Sequence, residues 1–427
     1  MTGPSFDVSD TDRRHLWHPY TQHGVADPPI PIVRAQGAYV FDNADRPIFD
    51  AISSWWVTLH GHAQPEIVAA IARQAATLDQ VIFAGFTHAP AAQLAAELVR
   101  RAPSGLSRVF FSDDGSTAVE VAVKIALQHW ANRGTPRGLI VALEHAYHGD
   151  TFGAMSVSAR GLFTEPFAGH LFEVSRLPDP VRCDVVDALE RIIAEREADI
   201  AAVIVEPMLL GAGGMRMWSA GALRGIRALT TAHGIPLIAD EVLTGFGRTG
   251  PLFACEHAGI APDLMCLSKG ITGGFMPLGA TLATEELFDG FRSKDRSKTL
   301  FHGHSYTANP IACAAGLASL VLFDDALAAR RRAIGRSHRA AAVRLEALSG
   351  VRNVRVLGTV LAMELTSPDG GYLSAIGPAL GRFAVERGVL LRPLGNTVYI
   401  LPPYCSTKDD LARAYETIAE FVESGAR

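Results

Sequence analysis

Six short apolar runs, at residues 108–111, 139–143, 200–205, 235–239, 264–267 and 280–283, are separated by polar or glycine-containing breaks and, in several cases, by helix-like stretches. Unalternated runs of this length suit strands buried on both faces. Strands that alternate with helices predict a mainly parallel sheet covered on both sides, an α/β fold.

In such a sheet the ligand sits outside the carboxyl ends of the strands, so the informative residues should follow the runs directly. After the first comes Ser112-Asp-Asp-Gly-Ser-Thr117. Thr117 and Glu120 stand at capping-box spacing. With a glycine in front, the free backbone N–H groups and the hydroxyls of Ser116 and Thr117 make a site for an anion such as phosphate. The same stretch also reads as an ordinary capped turn. It lacks the GK[ST] ending of a P-loop and is not GxGxxG. After the second run comes Glu144-His-Ala-Tyr-His-Gly-Asp150, where Tyr147 can offer a ring face to a planar ligand and Asp150 can orient a neighbour. Glu206-Pro207 follows the third run, ahead of Gly211-Ala-Gly-Gly214. Asp240-Glu241 follows the fourth. Two adjacent carboxylates there are costly unless one meets a cation and the other a hydrogen-bond donor.

The fifth run stops in Ser268-Lys269-Gly270, with Gly273-Gly274 just beyond. A lysine between an apolar strand and a glycine-rich turn is out of character, because desolvating an ammonium is costly. Its ordinary fate is to snorkel out of the sheet edge. Held in place, it would have a lowered pKa, and a neutral amine is a nucleophile toward carbonyls.

Composition removes several function classes. With 48% hydrophobic and 19% charged residues and a formal charge of −5, the chain has no basic footprint for nucleic acid and no like-charged tail. Its five cysteines are odd in number and widely spaced, which suits reduced thiols in a cytosol, and neither CxxC nor HExxH occurs, so no metal site is expected. The N-terminal stretch has no apolar core of a leader, and no run reaches membrane-spanning length, so a cytoplasmic protein is expected.

The 427 residues are long for one core. Residues 1–60 read as an arm and part of a small domain, with short strands around 32–33, 38–41 and 47–50. Ser53-Ser-Trp-Trp56 follows; if extended, the two indoles would point to opposite faces, one to the core and one to a pocket or interface. Residues 61–324 form the large domain. Residues 325–427 form a C-terminal small domain, with a helix over 324–350, strands at 354–357, 360–365, 389–391 and 398–401, and a closing amphipathic helix over 409–422. This part should pack with the N-terminal strands.

A nucleophilic lysine, a buried carboxylate, a stacking tyrosine and an anion-binding helix end are together what pyridoxal 5′-phosphate requires. Ala239-Asp-Glu-Val-Leu-Thr-Gly-Phe-Gly-Arg-Thr-Gly250, Leu267-Ser-Lys-Gly270 and His302-Gly-His-Ser-Tyr-Thr-Ala-Asn-Pro310 strongly resemble the class III pyridoxal-phosphate aminotransferases, from about residue 15 to the C-terminus. The resemblance implies a fold type I transferase, with a smaller α+β lobe built from both termini. It implies that Gly115 and Ser116 hold the phosphate, Tyr147 stacks on the ring, Asp240 pairs with the pyridinium and Lys269 carries the imine. Gly303, His304 and Ser305 would reach the cofactor or substrate of the other subunit, so the active unit is expected to be a homodimer.

Several features narrow the resemblance to the biotin-pathway branch, whose members aminate 8-amino-7-oxononanoate with S-adenosyl-L-methionine as donor. They are His18-Pro-Tyr-Thr21, the Trp pair, Thr87-His-Ala-Pro90, Gly211-Ala-Gly-Gly-Met-Arg216 and Arg392-Pro393, with Tyr399 through Pro402-Pro-Tyr404. On that basis Tyr20, Trp55 and Trp56 wall the substrate pocket and Arg392 takes a carboxylate. Arg248 is a second candidate for the carboxylate and equally a surface arginine. His304-Ser305 stands where the branch usually has Pro-Thr, a wording that resembles relatives using lysine as donor. Aromatic faces attract sulfonium and ammonium centres alike, so both donors stand. Other class III enzymes, acting on an ω-amino acid or on glutamate 1-semialdehyde, are the nearer rivals. A non-catalytic binding protein of the same fold is the farther one.

Overall fold

The structure is a computed structural model that describes residues 7–425. Its strands, in chain order, are β1 (Ile32–Gln36), β2 (Tyr39–Asp42), β3 (Pro47–Asp50), β4 (Leu106–Ser112), β5 (Leu139–Leu143), β6 (Val174–Leu177), β7 (Ile200–Val205) and β8 (Leu209–Leu210). They continue with β9 (Arg216–Met217), β10 (Leu237–Asp240), β11 (Leu264–Leu267), β12 (Gly279–Thr284), β13 (Val351–Leu357), β14 (Val360–Leu365), β15 (Val389–Leu390) and β16 (Thr397–Ile400).

Seven of these form one sheet in the order β4-β12-β11-β10-β7-β5-β6. β11, β10, β7, β5 and β6 pair in parallel, whereas β12 runs antiparallel to both β11 and β4. The mainly parallel sheet is therefore as the apolar runs predict, with one reversed strand inside it. Every residue of β5, β7, β10 and β11 is buried. At about 1.5–3 kcal/mol for each fully buried large aliphatic side chain, these strands hold the sheet in register and fix where each one ends. β6 escapes a reading by apolar runs because Val-Ser-Arg-Leu is half polar. Its Arg176 is used structurally, donating to the carbonyls of Ser156, Val157 and Ser158.

The N-terminal and C-terminal parts of the chain share a sheet. β15 adds in parallel to β3, so a C-terminal strand completes the sheet β1-β2-β3-β15. β13, β14 and β16 form a separate antiparallel sheet. The helix Lys408–Glu423 packs against the helices Asp325–Glu346 and Ile376–Glu386. Among the described residues no single helix is long and apolar enough to cross a membrane. The cysteines are all free: Cys255, Cys266 and Cys313 are buried as expected of core thiols, and Cys183 is exposed.

Two buried histidines give the fold a pH dependence. His338 Nδ1 accepts from Tyr415 Oη at 2.7 Å and its Nε2 donates to the Thr359 carbonyl at 3.1 Å, an arrangement that holds the neutral ring. Burial pushes the pKa values of His338 and of His60 down to about 4. The unfolded chain takes up these protons near pH 6.5 and the folded chain does not, so stability present above 6.5 is lost as pH falls toward 4. Between pH 7 and 5 the unfolding free energy should drop by about 2 kcal/mol per histidine. Urea unfolding at the two pH values checks this, and equal midpoints would contradict it.

Candidate active site

The ends of β10 and β11 lie side by side, with Asp240 opposite Cys266 in the register, and this sets Asp240 and Lys269 at the floor of one cavity of about 650 Å³. Lys269 opens the 3-10 turn Lys269–Thr272 with φ at +37°, an uncommon conformation for a lysine. Gly274 lets this turn sit on the backbone of Val57 and Thr58: at φ +92°, a Cβ there would lie 2.9 Å from their atoms. Lys269 is half-buried because it lines the cavity, and the surrounding protein still desolvates its ammonium. Burial lowers its pKa, an effect partly opposed by the charges of Asp240, Glu206 and Asp114.

The two adjacent carboxylates are both satisfied. Asp240 Oδ2 accepts from His148 Nδ1 at 2.6 Å, and Oδ1 accepts from the Val242 amide at 3.0 Å. Glu241 accepts from Thr244 Oγ1 and from the amides of Ala254 and Cys255. His148 is buried, and its Nε2 has no partner among the described residues. In the sequence, His148 is one more polar residue of the dense stretch 144–150, with nothing to mark it out. Glu206 is unmarked there too, yet it lines the cavity and accepts from the amides of Tyr147 and Gly211 at 2.8 and 2.9 Å, so it fixes the backbone from which Tyr147 projects. Burial raises the Glu206 pKa to about 7, helped by the Asp240 charge and opposed by His148.

Opposite this floor lies a helix N-terminus. The helix Gly115–Asn132 is capped by Asp114, whose carboxylate accepts from the Thr117 amide at 2.7 Å while Thr117 Oγ1 accepts from the Asp114 amide at 3.1 Å. The capping box is thus Asp114 with Thr117, not Thr117 with Glu120. Glu120 is turned away to bind Thr151 Oγ1 and the amides of Gly153 and Ala154. Gly115 and Ser116 line the cavity, and Thr151 joins them: its amide donates to Ser116 Oγ at 3.0 Å, and the two hydroxyls are 2.8 Å apart. Gly149 makes this possible, since at φ +137° any Cβ would fall 2.2 Å from Ser116 Oγ.

Tyr147 lines the cavity between floor and helix end. Its hydroxyl is 3.2 Å from that of Tyr20, which donates to Asp150. Desolvation raises the pKa of both phenols, so both stay protonated. The Trp pair is not extended. Ser53, Ser54 and Trp56 all have positive φ, in a tight turn held by Asp50, which accepts from the Ser54 amide and hydroxyl at 2.8 and 2.9 Å. The indoles diverge all the same: Trp56 is buried and lines the cavity with Lys269 Nζ 5.2 Å from its ring, while Trp55 is 37% exposed.

The two arginine candidates separate. Arg392 is exposed, its guanidinium lies 4.6 Å from the Trp55 ring, and it forms no ion pair among the described residues. Arg248 is neither a surface arginine nor a free cation. It is 1% exposed and donates to the carbonyls of Pro402 and Trp56 at 2.8 and 3.2 Å, which ties the tryptophan turn to the C-terminal lobe. Gly303, His304 and Ser305 stand outside the cavity of their own chain. His304 Nε2 lies 3.6 Å from Asp113 Oδ1, and the Ser305 carbonyl accepts from Gln80.

An amine of lowered pKa, a buried carboxylate, a flanking phenol and a helix N-terminus, all on one cavity, are the groups a pyridoxal-phosphate site requires. The profile of the class III aminotransferases matches residues 20–422, and the chain belongs to that family, with pyridoxal 5′-phosphate as its cofactor. It is 51% identical to the adenosylmethionine-8-amino-7-oxononanoate aminotransferase of Synechococcus elongatus, over 96% of this chain and 98% of that protein. It is 40% identical to the enzyme of the same name from Geobacter sulfurreducens, over 96% of each chain. The crystal structure of the Methanocaldococcus jannaschii adenosylmethionine-8-amino-7-oxononanoate aminotransferase superposes with a TM-score of 0.93 at 32% identity, over 98% of both chains. An omega transaminase from Pseudomonas jessenii, solved in complex with PMP, superposes with a TM-score of 0.92 at 26% identity, over 98% of both chains.

Proposed function

We propose that the chain transfers an amino group from S-adenosyl-L-methionine to 8-amino-7-oxononanoate, giving 7,8-diaminononanoate for biotin biosynthesis. Relatives across nearly the full chain carry that name. The observation that carries the acceptor is Arg392, a guanidinium beside Trp55 with no ion pair among the described residues, suited to the distal carboxylate of a linear keto acid.

Pyridoxal 5′-phosphate, when bound, supplies an aldehyde that amines join covalently and a ring that draws electrons from the attached carbon. Gly115, Ser116 and Thr151 would hold its phosphate, and Tyr147 would flank its ring. Asp240 would hold a proton on the ring nitrogen, and His148 orients that carboxylate through a 2.6 Å hydrogen bond to Oδ2. Lys269 Nζ would take the proton from the donor's α-carbon and pass it to the cofactor. In the second half-reaction the same Nζ moves the proton in the opposite sense. Trp56 and Tyr20 wall the reacting carbon from water. In this reading the protein is cytoplasmic and works as a homodimer in which Gly303, His304 and Ser305 complete the site of the other subunit.

Offering adenosylmethionine and lysine separately to purified protein with 8-amino-7-oxononanoate tests the assignment. Diaminononanoate should form with adenosylmethionine. Formation with lysine alone would replace the donor, and formation with neither would reject the assignment. Removing a charge-assisted contact in Arg392→Ala should lower kcat/KM for 8-amino-7-oxononanoate by about 10–100-fold, mostly in KM. An unchanged KM would take Arg392 out of the substrate site.

A further inference from the structure

A second chamber of about 500 Å³ adjoins the first. Tyr20 stands between them: its ring lines the outer chamber, and its hydroxyl meets Tyr147 and Asp150, which line the inner one. From there four rings run outward edge to face. Trp55 and Tyr20 have centroids 5.6 Å apart, Tyr20 and Phe163 5.8 Å, and Phe163 and Tyr372 4.7 Å. Tyr372 ends the series, 37% exposed, on a loop of the C-terminal lobe.

That loop is held in place by polar contacts. Asn396 Oδ1 accepts from the Gly371 amide at 3.0 Å while its Nδ2 donates to the Leu365 carbonyl at 3.0 Å, and Asp369 accepts from Ser374 Oγ and the Ala375 amide, both at 3.1 Å. Asn396 lies four residues beyond Arg392, so one segment positions both the guanidinium and the tyrosine. A rigid aromatic face kept at a chamber wall, away from the core, is an arrangement for stacking a flat ligand. Thr21, Gln22 and Ser374 also line the chamber and supply donors and acceptors suited to a ring with polar edges.

We propose that Tyr372 is a specificity residue for the amino donor. The outer chamber takes a planar heteroaromatic ring, the adenine of adenosylmethionine, against the Tyr372 face, whereas 8-amino-7-oxononanoate, which has no ring to stack, reaches this chamber only with its carboxylate, at Arg392 on the chamber wall. This inference rests on the functional reading above.

The two half-reactions of the holoenzyme, followed by the cofactor's absorbance, separate the roles. For Tyr372→Ala the apparent KM for adenosylmethionine should rise about tenfold, the effect of losing one stacked base. The reverse half-reaction with 7,8-diaminononanoate should be unchanged. Tyr372→Phe should behave as the parent, because the ring face and not the hydroxyl is used. Calorimetric titration with 5′-methylthioadenosine, which has the adenine and no transferable amine, should show binding weakened by a similar factor in the alanine variant. Equal losses in both half-reactions, or unchanged methylthioadenosine binding, would overturn the proposal. If the parent enzyme fails to react with adenosylmethionine, the functional reading falls instead, and methylthioadenosine binding alone then decides whether the chamber takes adenine.

Discussion

Lys269→Ala is expected to lower turnover by at least about 10⁴-fold, the upper end of what one positioned general acid–base supplies, since a covalent attachment point is lost with it. The effect should fall on chemistry and not on folding. Lys269 lines the cavity, and the turn that carries it is fixed by the buried Leu264–Leu267 strand and by Gly274 against Thr58. Circular dichroism and thermal unfolding should therefore stay near those of the parent. The cofactor should still associate through the Gly115–Ser116 end and Tyr147, loosely and without a covalent bond. Steady-state production of 7,8-diaminononanoate checks the loss. Residual activity within an order of magnitude of the parent would contradict the role given to this amine.

Asp240→Asn should cost about 10²–10³-fold in kcat, the loss typical of removing one preorganised electrostatic contact from an enclosed site. An amide cannot hold a proton on the ring nitrogen, so the electron demand that lowers the barrier to proton removal falls. The new side chain would keep the hydrogen bond to the Val242 amide through its carbonyl oxygen, but its NH₂ end would face His148, whose ring must then reverse its donor role. The substitution should also relieve Glu206, because the Asp240 charge is one cause of its raised pKa. The predicted signature is therefore a large fall in kcat with cofactor still retained, and a pH profile altered together with it. A variant with parental kcat would show that the ring nitrogen needs no anionic partner here.

Much of the site was legible because burial makes some residues anomalous. Lys269 and Asp240 stand out where apolar strands end, and a charged group in that position needs a partner or a task. Gly115, Ser116 and Tyr147 follow from a different rule, that ligands of a parallel sheet sit just past its strand ends. The sheet was legible from burial too, apart from β6, whose serine and arginine hide its period. What stayed hidden depends on contacts between segments far apart in the chain. His148 reaches Asp240 across 92 positions, and Glu206 holds the Tyr147 amide across 59. Thr151 takes its place through Ser116 and Glu120, and Tyr372 packs on Phe163.

Two local readings failed instructively. The Thr117–Glu120 pair has the spacing of a capping box, yet Asp114 takes the cap because its carboxylate is one turn closer to the free amides. Glu120 instead holds the Thr151–Ala154 segment beside the helix N-terminus. Arg248 offered no sequence cue to its burial. Its guanidinium is satisfied by carbonyls of the tryptophan turn and the C-terminal lobe, partners that only the assembled fold supplies.

The chemistry turns on which nitrogen the cofactor joins. Borohydride reduction of the holoenzyme, digestion and peptide mass spectrometry should place the pyridoxyl-phosphate mass on the peptide carrying Lys269, with fragment ions assigning it to that side chain. Finding the mass on another lysine, or on no peptide at all, would contradict the account.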